Sequence, residues 1–256
     1  MTKTIFQLKD VVKTVNEDTP EELNILDHVD LDIHEGDFIT ILGSNGAGKS
    51  TLFNTIGGNL RPTSGKVIYK DKDITNMSVV KRTSFLSRVF QDPKLGTAPR
   101  MTVAENLLLA EKRGGHHHLV PRKLKGEMKR FKDITAKMNN NLDHRLNTAT
   151  GSLSGGQRQA LSFLMATIKK PGILLLDEHT AALDPKTSQN LMDITDETIK
   201  EQNLTCLMIT HHLEDALKYG NRLLVLHQGK ISYDISGEEK QKLTKEELLT
   251  FFNDIQ

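Results

Sequence analysis

The chain has 256 residues, 37% hydrophobic and 26% charged, enough for a sizeable core in one large domain or two small ones. With 34 basic residues against 33 acidic, its net charge of +1 provides no global field toward nucleic acid or an anionic membrane. No apolar run approaches the ~20 residues of a membrane span, the opening MTKTIFQLKD lacks the features of a signal peptide, and the single Cys206 excludes an internal disulfide framework. The expectation is a cytosolic protein that reaches any membrane through a partner.

The first elements read as strands, IFQLKDVVKTV and NILDHVDLDI, with Val29, Leu31 and Ile33 alternating with polar residues and the charged loop NEDTPEEL between them. DFITILG is a compact β-branched run, as expected of a strand buried on both faces. A glycine-rich loop and a helix follow, the helix stopping near Gly57 and Gly58, and SGKVIYKDKDI reads as a strand and hairpin. From residue 92 to 168 the patterns are helical. MTVAENLLLA carries Thr102 and Glu105 at capping-box spacing, and KLKGEMKRFK is the densest basic cluster, read as a solvated helix face. HHHLVPR (116–122) reads as a native surface loop rather than a metal cluster. After Pro171 and Gly172, ILLLDE is a second buried strand. A helix (SQNLMDITDETIKE), the strand TCLMIT with a structural Cys206, a short helix (LEDALKYG), the hairpin LLVLHQGKISYD and an amphipathic tail helix (KLTKEELLTFFNDIQ) complete the order. The chain is a strand–helix core, an inserted helical segment and a return to the core.

Gly43-Ser44-Asn45-Gly46-Ala47-Gly48-Lys49-Ser50-Thr51 satisfies G-x-x-x-x-G-K-[ST] after a strand and before a helix, the context that makes the pattern specific for a nucleoside triphosphate. The glycines let backbone N–H groups converge on phosphates at a helix N-terminus. Lys49 is placed for the β- and γ-phosphates and the Ser50 hydroxyl for Mg²⁺. Asp177, ending a run of four aliphatic residues, is placed to hold Mg²⁺ directly or through water. Glu178 is placed to orient or deprotonate an attacking water, a role worth ~10²–10⁴-fold. LSGGQ (153–157) is a second anion-gripping loop, with Ser154 as helix N-cap. Ala160, Leu161, Leu164, Met165 and Ile168 form a stripe that buries the helix behind it, leaving Ser154, Gly155 and Gly156 exposed at its head.

Together these motifs resemble the ATP-binding subunits of ABC transporters over nearly the whole chain. GSNGAGKST resembles the Walker A loop, VFQDP the Q-loop with Gln91, LSGGQ the signature motif, ILLLDE Walker B, AALDP (181–185) the D-loop, and ITH the switch histidine His211. The resemblance implies an α/β fold: a P-loop core with an antiparallel β subdomain (1–91 and 169–256) and an inserted helical subdomain (92–168), all one ATPase domain. It implies ATP and Mg²⁺ as cofactors, Glu178, His211 and Gln91 as catalytic residues, and Ser50, Gln91 and Asp177 as metal positions. Residues 43–51 and Ser154, Gly155, Gly156 and Gln157 are the implied nucleotide-binding residues. The second loop finds its reason here, because in this family each ATP lies between the P-loop of one subunit and the signature loop of another, so the chain must pair head to tail.

The implied partners are a second copy, an integral membrane permease and an extracytoplasmic substrate-binding protein, without nucleic acid, at the cytoplasmic face of the membrane. RVFQDPKLGTAPRMTVAEN, DEHTAALDPKT and KYGNRL resemble a bacterial importer group with lipoprotein substrate-binding partners, where amino acids such as tryptophan or tyrosine are carried. A soluble ABC-type ATPase acting on nucleic acid or ribosomes is the alternative from another class, and a P-loop kinase would not need LSGGQ. Three residues depart from the family pattern. Val15 stands where an aromatic residue stacks on adenine, a loss of ~1–3 kcal/mol by analogy with base stacking. His179 follows the glutamate where proline is commoner, and is expected to have a local backbone role. His212 doubles His211 and is expected to be a bystander.

Overall fold

The structure is a computed structural model that describes residues 3–115 and 124–253. HHHLVPR therefore lies outside the described residues, and so do the last three residues of the tail. In chain order the strands and helices begin with β1 (Thr4–Val15), β2 (Leu23–His34), β3 (Phe38–Gly43), α1 (Lys49–Gly57), β4 (Ser64–Tyr69), β5 (Lys72–Asp73) and α2 (Val79–Arg82). Next come β6 (Leu86–Val89), α3 (Val103–Glu111), α4 (Leu124–Ala136), α5 (Gly155–Thr167), β7 (Ile173–Asp177) and α6 (Pro185–Gln202). The chain returns through β8 (Cys206–Ile209), α7 (Leu213–Lys218), β9 (Arg222–His227), β10 (Lys230–Ser236), α8 (Gly237–Lys242) and α9 (Lys245–Asn253). No helix among the described residues is long and apolar enough to cross a membrane.

Two compact units emerge, one of residues 1–82 with 205–256 and the other of residues 83–204. The expected helical segment, 92–168, lies within the second unit, which also takes in β6, β7 and α6.

In the first unit, β1 pairs antiparallel with both β2 and β4, and β4 with β5, giving the order β2-β1-β4-β5. β3 is flanked in parallel by β8 and β9, and β10 returns antiparallel on β9. All six residues of β3 are buried, as its unbroken apolar run requires. The β9–β10 hairpin turns on two residues, Gln228 (φ 44°) and Gly229 (φ 79°), the left-handed pair whose twist matches the strands. Leu42, Ala216, Leu223, Val225 and Leu248 form one apolar cluster, so the tail helix α9 contributes Leu248 to the core. Cys206 is fully buried, which raises its thiol pKa and fits the structural role expected of it.

Arg82 ties this unit together through five backbone carbonyls. Its side chain is buried and donates to the carbonyls of Thr55 (2.9 Å), Ile56 (2.6 Å), Ile74 (2.6 Å), Thr75 (3.2 Å) and Met77 (3.2 Å). Thr55 and Ile56 belong to the last turn of α1, where carbonyls run short of helical N–H partners; that of Thr55 also accepts from the Gly58 N–H at 3.2 Å. The cation therefore caps the helix that begins at the P-loop. Burial lowers its pKa to about 10, which leaves it charged at neutral pH.

In the second unit β6 and β7 pair in parallel from Leu86↔Ile173 to Val89↔Leu176. Around them α3, α4 and α5 share a core of Val103, Ala104, Leu107, Phe131, Leu142, Leu146, Leu153 and Leu161. Thr102 and Glu105 form the capping box anticipated for α3. The stripe expected on α5 is shallower than its pattern suggested. Ala160 and Leu161 are buried, whereas Leu164, Met165 and Ile168 only pack against the cluster and Phe163 and Ala166 go deeper. Strand β6 and helices α2 and α8 were not anticipated.

Candidate active site

In the first unit the P-loop leaves the end of β3 and enters α1. Gly48 is the hinge, with φ of 100°, and a Cβ there would lie 2.6 Å from the carbonyl oxygen of Ile25. Only glycine combines that backbone with so close an approach of β2. Ser44, Asn45, Gly46 and Ser50 are exposed, Thr51 is half-buried, and Ala47 is buried beneath the loop. Lys49 is 6% exposed, and its ammonium donates to the carbonyls of Gly43 (2.7 Å) and Ser44 (2.9 Å). The loop thus aims its cation along its own curve, toward the side where the first turn of α1 directs its N–H groups.

The register of the sheet places the histidine. Ile41 of β3 is level with Ile209 of β8, so Gly43 and His211, each two residues further on, leave the sheet at the same end. His211 is exposed. His212 opens α7 by its backbone, with its N–H on Thr210 Oγ1 at 3.1 Å, so its place in the chain is that of a helix N-cap residue. Val15 ends β1, half-buried, opposite Leu23 of β2, which is 57% exposed. The position expected to be aromatic is therefore one half of an aliphatic pair.

In the second unit the same register logic joins Gln91 to Glu178. Val89 is level with Leu176, so Gln91 and Glu178 emerge side by side, and the Gln91 amide donates to Glu178 Oε2 at 3.0 Å. That bond engages the amide nitrogen and leaves the amide's carbonyl oxygen as the group suited to a cation. Glu178 has φ of 46°, a left-handed conformation that a non-glycine residue adopts at a cost of order 1–3 kcal/mol and that clusters at functional positions. The turn is fixed by Ala181 N–H on the Glu178 carbonyl at 3.0 Å. Asp177 ends β7, and its carboxylate accepts from Arg88 of β6 at 2.5 Å.

Ser154 caps α5, accepting from the Gln157 N–H while the Gln157 side chain returns to the Ser154 N–H (both 3.3 Å), so the signature loop is a capping box. Sequence reasoning placed Ser154 as the cap but missed that Gln157, three residues on, closes the box. The Gln157 amide also donates to the Asn140 carbonyl at 3.0 Å. Ser154 and Gly155 are exposed, as expected. Gly156 is half-buried instead, because Thr187 of α6 lies so near that a Cβ on Gly156 would meet its methyl at 2.8 Å. Beneath the loop, Arg158 donates to the carbonyls of Thr150 (2.8 and 3.0 Å) and Gly151 (2.8 Å). Asp184 of AALDP is the N-cap of α6, accepting from Thr187 N–H at 3.1 Å, with Pro185 at the first helical position.

His179 corrects the expectation of a local backbone role. Its side chain is 2% exposed, stacks on Phe163 at 6.4 Å between ring centroids, and shares a 3.2 Å hydrogen bond between Nε2 and Thr195 Oγ1. Burial lowers its pKa to about 4, so the ring is neutral and structural.

Within the second unit the Gln91 carbonyl and the Asp177 carboxylate are hard oxygen donors of the kind Mg²⁺ takes, and so, separately, is the Ser50 hydroxyl at the P-loop of the first unit; Mg²⁺ is typically held by one or two carboxylates together with substrate phosphates and water. Among the described residues no cluster of three or more His, Cys, Asp or Glu side chains offers an all-protein metal cage.

Known proteins resemble this chain over most of its length. Residues 26–181 match the family described as ABC transporter. The chain is 44% identical to a tyrosine transport ATP-binding protein of Clostridioides difficile, over 97% of this chain and 98% of that one. It is 36% identical to a thiamine import ATP-binding protein of Yersinia pseudotuberculosis, over 80% and 82% respectively. Among solved structures it is similar to an ATP-binding cassette in a dimeric post-hydrolysis state bound to ADP and Pi, with a TM-score of 0.77, 28% identity and coverage of 91% and 98%. A family model matched over residues 26–181, an α/β fold shared with solved cassettes and 44% identity over nearly the full length to a tyrosine transport ATP-binding protein lead to one conclusion: the chain belongs to the ABC transporter family, as an ATP-binding subunit that hydrolyses ATP.

Proposed function

We propose that two copies of this chain pair head to tail around two ATP molecules and drive a separate membrane permease from its cytoplasmic face, importing a small solute. An aromatic amino acid such as tyrosine is the substrate class, delivered by an extracytoplasmic binding protein. The observation that carries this reading is the full-length similarity to a subunit named for tyrosine transport. The exposed head of α5 supports the pairing. It presents Ser154 and Gly155 to solvent on a rigid capping box, and a Cβ on Gly155 would have nothing within 4 Å, so this loop has room to receive a partner's triphosphate.

Each side chain then has a role its chemistry fits. Lys49 exchanges its loop carbonyls for β- and γ-phosphate oxygens. Ser50, Gln91 and Asp177 hold Mg²⁺, which when bound neutralises charge on those oxygens. Glu178, fixed by its strained backbone and by Gln91, orients and deprotonates the attacking water. His211 contacts the γ-phosphate, and Ser154, Gly155, Gly156 and Gln157 act on the partner's ATP through the head of α5. The Val15–Leu23 pair offers the base an aliphatic platform that separates ATP from GTP weakly.

The test is light scattering on the Glu178→Gln variant without nucleotide, with Mg-ATP and with Mg-GTP. The expected result is a monomer that becomes a dimer only with triphosphate, with less than tenfold preference for ATP. A chain that binds triphosphate with Mg²⁺ and stays monomeric even beside its permease refutes the pairing. Reconstituted with that permease and binding protein, wild-type ATPase activity is expected to rise with tyrosine and not with lysine.

A further inference from the structure

Arg88 is not called for by the nucleotide chemistry above. It lies on β6 level with Leu175 of β7, so by strand alternation it shares a face with Leu175 and, one pleat further, with Asp177. Its guanidinium donates to Asp177 Oδ2 at 2.5 Å, and the two side chains are only 11% and 15% exposed. The same guanidinium sits 4.9 Å from the centroid of the Phe90 ring. One residue beyond Phe90, Gln91 holds Glu178. The Phe90 carbonyl in turn accepts from the buried Gln159 of α5 at 3.1 Å. The short stretch 88–91 therefore holds both carboxylates of the Asp177–Glu178 pair, and is itself tied to the helix that begins with the signature loop.

We propose that Arg88 is a built-in competitor for Asp177, a positioning residue that neutralises and orients the carboxylate and so sets how strongly a divalent cation must be favoured before it binds there. The inference rests on the reading of Asp177 as a cation ligand. Arginine is charged at every physiological pH and cannot yield by losing a proton. A divalent cation taken by Asp177 meets the fixed positive charge of the guanidinium bound to that same carboxylate, and even at a water-like dielectric such charges a few ångströms apart weaken binding by roughly tenfold. The Phe90 ring and the hydrogen bond to Oδ2 hold the guanidinium in place, so that charge does not simply swing into solvent.

The experiment compares the affinity of AMP-PNP, a non-hydrolysable ATP analogue, with and without Mn²⁺ by calorimetry on the full-length chain. The ratio of the two affinities is the metal's contribution, which a general loss of packing leaves unchanged. In Arg88→Met the ratio is expected to rise about tenfold, and in Arg88→Lys, which keeps the charge, to stay within about twofold of wild type. Arg88→Gln, neutral but polar, gives the same rise as methionine and serves if that variant folds poorly. An unchanged or smaller ratio in the neutral variants, or an equal rise in Arg88→Lys, overturns the proposal. Asp177→Asn separates the two levels of the argument. A ratio that collapses toward one supports Asp177 as ligand, whereas a ratio kept at the wild-type value shows that the reading of Asp177 has failed before Arg88 is at issue.

Discussion

Acid is expected to destabilise this protein through His179. The ring is fully enclosed between Phe163 and Thr195, and burial lowers its pKa from 6.5 to about 4. The unfolded chain therefore takes up a proton at a pH where the folded chain does not. Stability from the neutral ring is complete above pH 6.5 and is lost as pH falls toward 4. A group with these two pKa values loses about 1.4 kcal/mol between neutral pH and pH 5.5, and about 3 kcal/mol by pH 4. Other groups titrate over the same range, so the measurement is a difference between wild type and His179→Gln, whose amide reaches toward Thr195 without a titrating ring. Urea denaturation of both at pH 7.5, 6.5 and 5.5 is expected to show the wild type losing about 1.4 kcal/mol more than the variant over that interval. Parallel losses in the two proteins would refute the assignment of a neutral buried imidazole. The Gln variant's constant offset at pH 7.5 measures the lost packing and does not enter the comparison.

Arg82→Met, which removes the cation from five backbone carbonyls, is expected to cost about 3–5 kcal/mol and to lower the thermal midpoint of the first unit; calorimetry showing less than 1 kcal/mol would mean that water replaces the cap. Ser154→Ala removes the α5 cap and is expected to cost about 1 kcal/mol, with Ser154→Gly costing less. Placed in the Glu178→Gln background, Ser154→Ala is also expected to weaken triphosphate-dependent dimerisation by more than the folding loss, read by light scattering against ATP concentration.

Much of the site was legible in the sequence because its chemistry is local. Gly48 and Lys49 stand in a fixed pattern whose backbone geometry admits few residues, Ser154 announces a helix start, and four aliphatic residues before Asp177 mark a buried strand. The fold followed from the same signals wherever an element was long enough to show a period. Strand β6 was not, since LSRV spans four residues and two of them are polar, so no alternation separates it from the loops on either side. Helix α8 (GEEKQK) carries no apolar period at all, and α2 has a single turn. His179 was misjudged because its neighbours, Phe163 and Thr195, come from helices α5 and α6 and meet it only in the fold. Arg88 was invisible for the same reason: its partner Asp177 is 89 positions away and reaches it only through the β6–β7 register.

The residues least readable from sequence share a physical logic with the motifs. A helix offers N–H groups at its start and carbonyls at its end, so a loop that grips an anion at one terminus leaves an electronegative terminus at the other. In α1 the P-loop leads into the first terminus, and Arg82 answers the second on the carbonyls of Thr55 and Ile56. In α7, which opens at His212, the buried Lys240 answers it on the carbonyls of Leu217, Tyr219 and Gly220, at 3.2, 2.6 and 3.0 Å. Burial lowers the pKa of that lysine to about 8, so it remains mostly protonated near neutrality. Ahead of α5, Arg158 takes the carbonyls of Thr150 and Gly151 that precede the signature loop. The starts of α1 and α5 lie in glycine-rich patterns of fixed spacing, which the sequence displays. The cationic halves need only reach a carbonyl, from 27 positions along the chain in Arg82 to Thr55 and from 23 in Lys240 to Leu217, so nothing in the local sequence marks them. A motif therefore marks the helix start proposed to face an anion, and the buried cations that hold the other end of such a helix appear only once the chain has folded.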